Sequence, residues 1–240
     1  VSADDRPSPL SLVERGSETG KARYSIHLAD TAHAPPELAA GWLEDAAHLH
    51  VSSFSAVVGA WGAAVGDALD AARGRVTRSF DVNIRPNLLP GRVAAQELVA
   101  ARLEQVEIVK ASDEDLRWLF PGADPEQIAA DWSRRGPISV LTRGADGASA
   151  FVRGAAIRRA ARPVAVVDTV GAGDAFMAGF LSLALERGIL DGLAEQDAGS
   201  VGALLAFANA AAALCCMRAG ADMATRVDVD AFLEHSCSSA

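Results

Sequence analysis

The stretch DTVGAGDAFMAGFL, Asp168 to Leu181, sets carboxylates on both sides of a Gly-Ala-Gly turn. It then runs into an apolar helical repeat at Phe176, Phe180, Leu181 and Leu185. Amides in the first turn of a helix lack intrahelical acceptors, and the helix dipole adds partial positive charge there. With no bulky side chain at 171–173, the N–H groups of Gly171, Ala172 and Gly173 can close on an anion. Asp174 follows in that first turn. It is either a helix-start carboxylate or a general base aimed at a hydroxyl beside the anion. A capped helix after a flexible turn would use similar residues, and what favours chemistry is Asp168, Thr169, Gly171, Gly173 and Asp174 in one run.

Few other residues invite a chemical role. Asn83 and Arg85 fall at the C-terminal end of an expected strand, the edge where ligands bind in open α/β sheets. Ser112 and Asp115 are spaced as a variant capping box. His48 and His50 share one strand face with no third ligand near them and read as packing residues. Trp42, Trp61, Trp118 and Trp132, with Met177 and Met217, read as core. GSETGKA (16–22) has one residue too few between its glycines for a phosphate-binding loop, and Ala22 stands where that loop needs a hydroxyl, so a hairpin turn is expected.

Positioning these residues requires a sheet. Short apolar runs at 48–54, 75–82, 106–111, 138–143 and 147–152 predict strands, and AVVD ahead of the glycine turn predicts another short one. Amphipathic runs at 36–47, 61–72, 93–105, 113–120, 125–135, 174–187, about 198–217 and 229–235 predict helices. That rhythm implies βαβ units: an α/β, doubly wound, Rossmann-like fold with a mostly parallel sheet and helices on both faces. Ahead of it, LSLVERG (10–16) and ARYSIHLAD (22–30) predict a hairpin with Tyr24, Ile26 and Leu28 on one apolar face. Two strands alone are marginal, so this face must be covered. The expected division is a hairpin piece at 1–33 and an α/β domain at 34–240.

The chain has 240 residues, half of them hydrophobic, and a net charge of −9. This balance argues against nucleic acid or an anionic membrane as main partner. Cys215, Cys216 and Cys237 form no CxxC pair, which predicts a reducing, cytoplasmic setting. No apolar run is expected to approach the ~20 residues of a membrane span, and VSADDRPSPL does not read as a signal peptide. It carries no initiator methionine, so the chain reads as beginning partway into a longer protein.

The run Asp168-Thr-Val-Gly-Ala-Gly-Asp174 resembles the C-terminal signature of the ribokinase-like (PfkB) carbohydrate kinases. DVNIRPNLLP (81–90), VKASDEDLRWLFPG (109–122), VLTRGADGA (140–148) and FANAAAALCCMRAGA (207–221) resemble further segments of that family. The resemblance implies an ATP-dependent sugar kinase, most like a fructokinase, with 2-keto-3-deoxygluconate kinase or ribokinase as alternatives. A non-catalytic nucleotide- or sugar-binding regulator is the alternative of another class; a dehydrogenase is disfavoured because Phe176 breaks the Gly-x-Gly-x-x-Gly pattern.

On that resemblance Asp174 is the base, and Gly171, Ala172 and Gly173 form the anion hole. Thr142, Gly144, Gly147 and Asn209 border ATP, and Asn83 and Arg85 contact sugar or phosphate. Ser112 and Asp115 stand where the family carries Asn and Glu around Mg2+, so Asp115 is expected to act indirectly. Asp168 marks a K+ site, although Ala224 replaces a side-chain ligand. The family's first Rossmann strands and sugar-binding N-terminus are not matched here. The resemblance makes the piece at 1–33 a partial β lid and implies a homodimer through it.

Overall fold

A computed structural model describes residues 5–15, 22–35 and 37–235. It contains a two-stranded antiparallel sheet and a six-stranded sheet in the order β3-β4-β5-β6-β7-β8. The small sheet pairs β1 (Leu10–Arg15) with β2 (Ala22–His27). The GSETGKA turn between them lies, at residues 16–21, outside the described residues.

The hairpin differs from its expected one-faced form. Leu10 pairs with His27 and Leu12 with Ser25, while Val13 pairs with Tyr24 and Ser11 with Ile26. Opposed residues share a face, so the leucines of β1 lie on the opposite face from Ile26. Leu10, Leu12 and Val13 are all exposed.

The large sheet begins with four parallel strands: β3 (His48–Ser52), β4 (Thr77–Asp81), β5 (Ile108–Ser112) and β6 (Ile138–Thr142). Antiparallel β7 (Ala148–Val152) and β8 (Ala155–Arg159) complete it. Alternation along buried strands sorts side chains to two cores. Phe80, Val109, Ala111, Leu141 and Phe151 meet α1 (Gly59–Ala72), α2 (Arg92–Leu103), α3 (Asp113–Leu119) and α4 (Pro125–Arg134). Ile108, Ile138, Val140, Ala148 and Ala150 face α5 (Ala172–Glu186), α6 (Ala198–Cys216) and α7 (Arg226–Glu234). Helices therefore cover both faces, as expected.

Five local expectations fail, each for a visible reason. Residues 37–47 of the expected 36–47 helix form turns, because Gly41 adopts φ 76° and the amides of Trp42, Glu44 and Ala46 reach back only three residues. Residues 165–168 form no strand: the amides of Val167 and Asp168 both donate to the Cys216 carbonyl at the end of α6. β8 was not expected, since its AAIRR sequence alternates weakly and ends in two exposed arginines. Met217 lies just past α6 and is 43 % exposed, whereas Met177 is core. Finally, α6 is long and apolar enough by length and composition to cross a membrane, with mean hydropathy 1.7; much of it is instead buried between α5, α7 and the sheet.

Of the four tryptophans only Trp132 is fully buried. Trp61 stacks on His33 at 5.5 Å, and Trp118 lies under the Arg92 guanidinium.

Candidate active site

The C-terminal ends of β4, β5 and β6 open toward the start of α5, and the sequence-predicted residues gather along that edge. Gly171 is the N-cap of α5 at φ 80°, and a Cβ there would come within 2.8 Å of the Ala221 Cβ. Its conformation and its close neighbour both require glycine. The Ala172 amide turns back to the Thr169 carbonyl at 3.3 Å. Among the described hydrogen bonds the amides of Gly173 and Asp174 reach no protein acceptor. Of the expected set only the Ala172 amide is used by the turn itself; among the described hydrogen bonds the Gly171 amide also has no protein acceptor, and Asp174 adds a further open donor. Gly173 and Asp174 are exposed, and the Asp174 carboxylate stands free of the helix cap.

Asp168 is buried just ahead of this turn. Its two oxygens accept from the amides of Gly220, at 2.9 Å, and Val170, at 3.2 Å. The aspartate thus ties the loop after α6 to the glycine turn, with Cys215 donating to the Val170 carbonyl beside it. Burial pushes the Cys215 thiol up, and the nearby Asp222, Asp168 and Asp174 charges push it further.

At the end of β4, Asn83 takes φ 37° and its side-chain oxygen accepts from Arg85 at 2.7 Å. The next amide, Ile84, donates to Asp115 Oδ1 at 2.8 Å. Asp115 Oδ2 accepts from the Ser112 amide and hydroxyl, and Ser112 Oγ in turn caps the Asp115 amide. The capping box expected at Ser112 and Asp115 is formed, and Asp115 also braces the loop that carries Asn83 and Arg85. Three protein donors thus occupy this carboxylate. Among the described residues no group of three His, Cys, Asp or Glu side chains is placed to hold a metal ion.

The residues expected to border a nucleotide form a frame of glycines and strand ends. Thr142 ends β6, Gly144 follows at φ 51°, and Gly147 returns at φ 87°. A Cβ on Gly147 would lie 2.3 Å from the Arg159 carbonyl oxygen, so only glycine lets the end of β8 cross here. Asn209, buried in α6, donates to the carbonyls of Arg159 and Ala160 at 3.0 and 3.4 Å. It holds the strand end next to that loop, and its amide donors are spent inside the protein.

Beneath the α5 turn lies a polar strip that includes the two histidines expected to be packing residues. On β3, His48 contacts Thr77 Oγ1 and Ser79 Oγ, and His50 contacts the same Ser79 hydroxyl, each at 2.7 Å. Burial lowers both imidazoles to about 4. For His48 the neighbouring His50 adds to this; for His50 Lys110 adds to it while Asp174 opposes it. The register then sets Asp81 opposite Lys110. Lys110 Nζ contacts Asp81 Oδ2 at 2.7 Å, with side chains only 5 % and 1 % exposed. Burial pushes the Asp81 carboxyl up, against the lysine that holds it down.

A profile of the pfkB family carbohydrate kinases matches residues 1–226. The chain is 32 % identical over 184 residues to a fructokinase of Rhizobium leguminosarum bv. trifolii, covering 74 % of this chain and 55 % of that protein. It is 33 % identical over 159 residues to probable fructokinase-5 of Arabidopsis thaliana, covering 65 % of this chain and 48 % of that one. The chain thus spans about half the length of these curated relatives. A crystal structure of fructokinase with bound ATP from Xylella fastidiosa superposes with a TM-score of 0.83 at 22 % identity, covering 98 % of this chain and 76 % of that chain.

Proposed function

Because this chain belongs to the pfkB family of carbohydrate kinases, we propose that it carries the phosphoryl-transfer centre of an ATP-dependent kinase whose acceptor is fructose. The observation that carries the reading is Asp174, exposed in the first turn of α5 beside the two open amides of Gly173 and itself. In this reading a sugar hydroxyl lies against the Asp174 carboxylate and gives up its proton there as its oxygen bonds to the γ-phosphorus. The bond from that phosphorus to the β-phosphate oxygen breaks, and ADP leaves. The amides and the α5 dipole stabilise charge on the phosphoryl oxygens, so catalysis is mainly positioning and electrostatics.

Thr142, Gly144 and Gly147 border the nucleotide, with Asn209 holding the strand end beside it. Asn83 and Arg85 face the acceptor. Asp115 would help hold magnesium indirectly, and the ion would neutralise charge on the ATP phosphates. A potassium ion at Asp168 has weaker support, since both oxygens of that carboxylate already accept backbone N–H groups.

Fructose is favoured because several relatives are named fructokinases. 2-Keto-3-deoxygluconate is the second reading, and the Arg85 guanidinium at the end of β4 suits its carboxylate. Residues 1–33 serve as a partial lid over the 34–240 domain. The two-sided hairpin gives it one face for the site and one for a second copy of the chain, and the free thiols of Cys215 and Cys216 suit a cytoplasmic setting. The test is ADP release by the full-length protein with ATP-Mg and a panel of fructose, 2-keto-3-deoxygluconate, ribose and adenosine. Fructose-dependent release is expected. Release with only another sugar reassigns the substrate, and ATP binding without release on any of them leaves a non-catalytic regulator.

A further inference from the structure

Resting on this phosphoryl-transfer reading, we propose that Lys110 is a further catalytic residue: its ammonium, held by Asp81, contacts the transferring phosphoryl group from beneath the α5 turn.

A lysine in the middle of a parallel strand buried on both faces is out of place by composition, since lysine is almost never fully buried unless paired. Its neighbours Ile108, Val109 and Ala111 are core residues. Lys110 shares the face of Ile108 and points toward α5. A Cβ built on Gly173 would lie 3.4 Å from Lys110 Nζ. The ammonium is therefore in contact distance of the residue whose amide is open, one step from Asp174.

Two arguments separate a working group from a structural pair. The first is donor accounting. An ammonium has three N–H donors, and among the described hydrogen bonds Asp81 Oδ2 is its one acceptor. Asp81 Oδ1 is buried with no partner. A pair serving stability alone gains little over apolar packing unless its remaining hydrogen bonds are satisfied.

The second argument concerns sign. The N-terminus of α5 carries partial positive charge, and setting a cation against it is unfavourable by itself. Asp81 offsets the lysine directly, and the Asp115 and Asp174 carboxylates act on the same pair from further off. A multiply charged anion between the ammonium and the open amides turns that repulsion into attraction from both sides, and a γ-phosphoryl group is such an anion. The carboxylate at 115 is engaged by Ile84 and Ser112, so β5 contributes charge to the turn through Lys110. Asp81 is then a positioning residue that fixes the ammonium.

The experiment uses the full-length protein with Lys110→Met and Asp81→Asn combined. Removing both charges leaves no buried charge alone, which would otherwise be strongly destabilising. Two readouts are taken on folded protein: kcat in the ADP-release assay, and the binding preference for a non-hydrolysable ATP analogue over ADP by calorimetry. A phosphoryl contact predicts that kcat falls about 100-fold, with ADP affinity unchanged and the preference reduced about tenfold. Lys110→Arg keeps the charge and its pairing with Asp81 but moves the donors, and a fall of about tenfold in kcat follows from misplacement. It also covers the case in which the double variant does not fold. Either variant, folded, with kcat and preference within twofold of wild type overturns the proposal. If wild type releases no ADP with any sugar yet loses its ATP preference in the double variant, the kinase reading fails and the phosphate contact stands. With neither turnover nor a change in preference, both fail.

Discussion

Truncating Asp115 separates its two roles, brace and magnesium neighbour. In Asp115→Ala the capping box loses its reciprocal half, the bond from the Ser112 amide. The amide of Ile84, buried at the end of β4, loses its acceptor at 2.8 Å, and the half-buried amide and hydroxyl of Ser112 lose theirs. A buried donor left unsatisfied costs about 1–3 kcal/mol, and a group that water reaches sits at the low end. The sum is roughly 3–5 kcal/mol, a large share of a typical total of about 5–15 kcal/mol. Urea unfolding followed at constant m-value measures it. The same loss frees the loop of Asn83 and Arg85, so KM for sugar rises together with the loss of stability. Asp115→Asn keeps an acceptor for Ile84 but sets a donor against the Ser112 amide, so about half of the effect is expected. A cost below about 1 kcal/mol, with a steep rise in the Mg2+ needed for activity, would refute the reasoning and make the carboxylate a magnesium group first.

Two further outcomes are expected. Gly147→Ala combines a backbone angle that alanine tolerates poorly with a Cβ 2.3 Å from the Arg159 carbonyl oxygen and 2.4 Å from the Ala161 nitrogen. Strain of about 1–3 kcal/mol and overpacking of about 1–3 kcal/mol destabilise the fold, and ATP binds more weakly as the end of β8 shifts; thermal unfolding and calorimetry read the two effects. Acid should also weaken the protein through His48. Its imidazole titrates near 6.5 when unfolded and near 4 when folded, so the unfolded state holds more protons between these values. Stability is complete above pH 6.5 and falls as pH drops toward 4, by at most roughly 3 kcal/mol. His50 is more exposed and adds less. The difference in unfolding free energy between wild type and His48→Gln should shrink across that window, and a pH-independent difference would remove His48 as its source.

What could be read from the sequence tracks the range of the interactions. The βαβ rhythm, the helices from α1 to α7 and the Ser112–Asp115 cap are set by periodicity and near neighbours, and they appear where the residues predict. The turn at Gly171 and Asp174 was legible too, since bare glycines ahead of an apolar helix have a local meaning. The failures involve partners far apart in the chain. Asp115 reaches Ile84 across 31 residues, and the end of α6 claims the amides of Val167 and Asp168 that a strand would have used. Lys110 reads as an interruption in an apolar strand until the register places Asp81 opposite it. The leucines of β1 reach the unexpected face for the same reason, because only the pairing says which residues share a side. At 36–47 the composition is helical, and a single left-handed glycine at position 41 overrides it.

The central claim is that Asp174 accepts a sugar proton beside the open amides of α5. It is tested most directly by Asp174→Asn in the ADP-release assay with the preferred sugar, alongside ATP binding by calorimetry. The account predicts a loss of ~10²–10⁴-fold in kcat, with ATP affinity and unfolding midpoint close to wild type. A variant that keeps sugar-dependent turnover within a few-fold of wild type would contradict it, and would leave Asp174 as a carboxylate at the start of an ordinary helix.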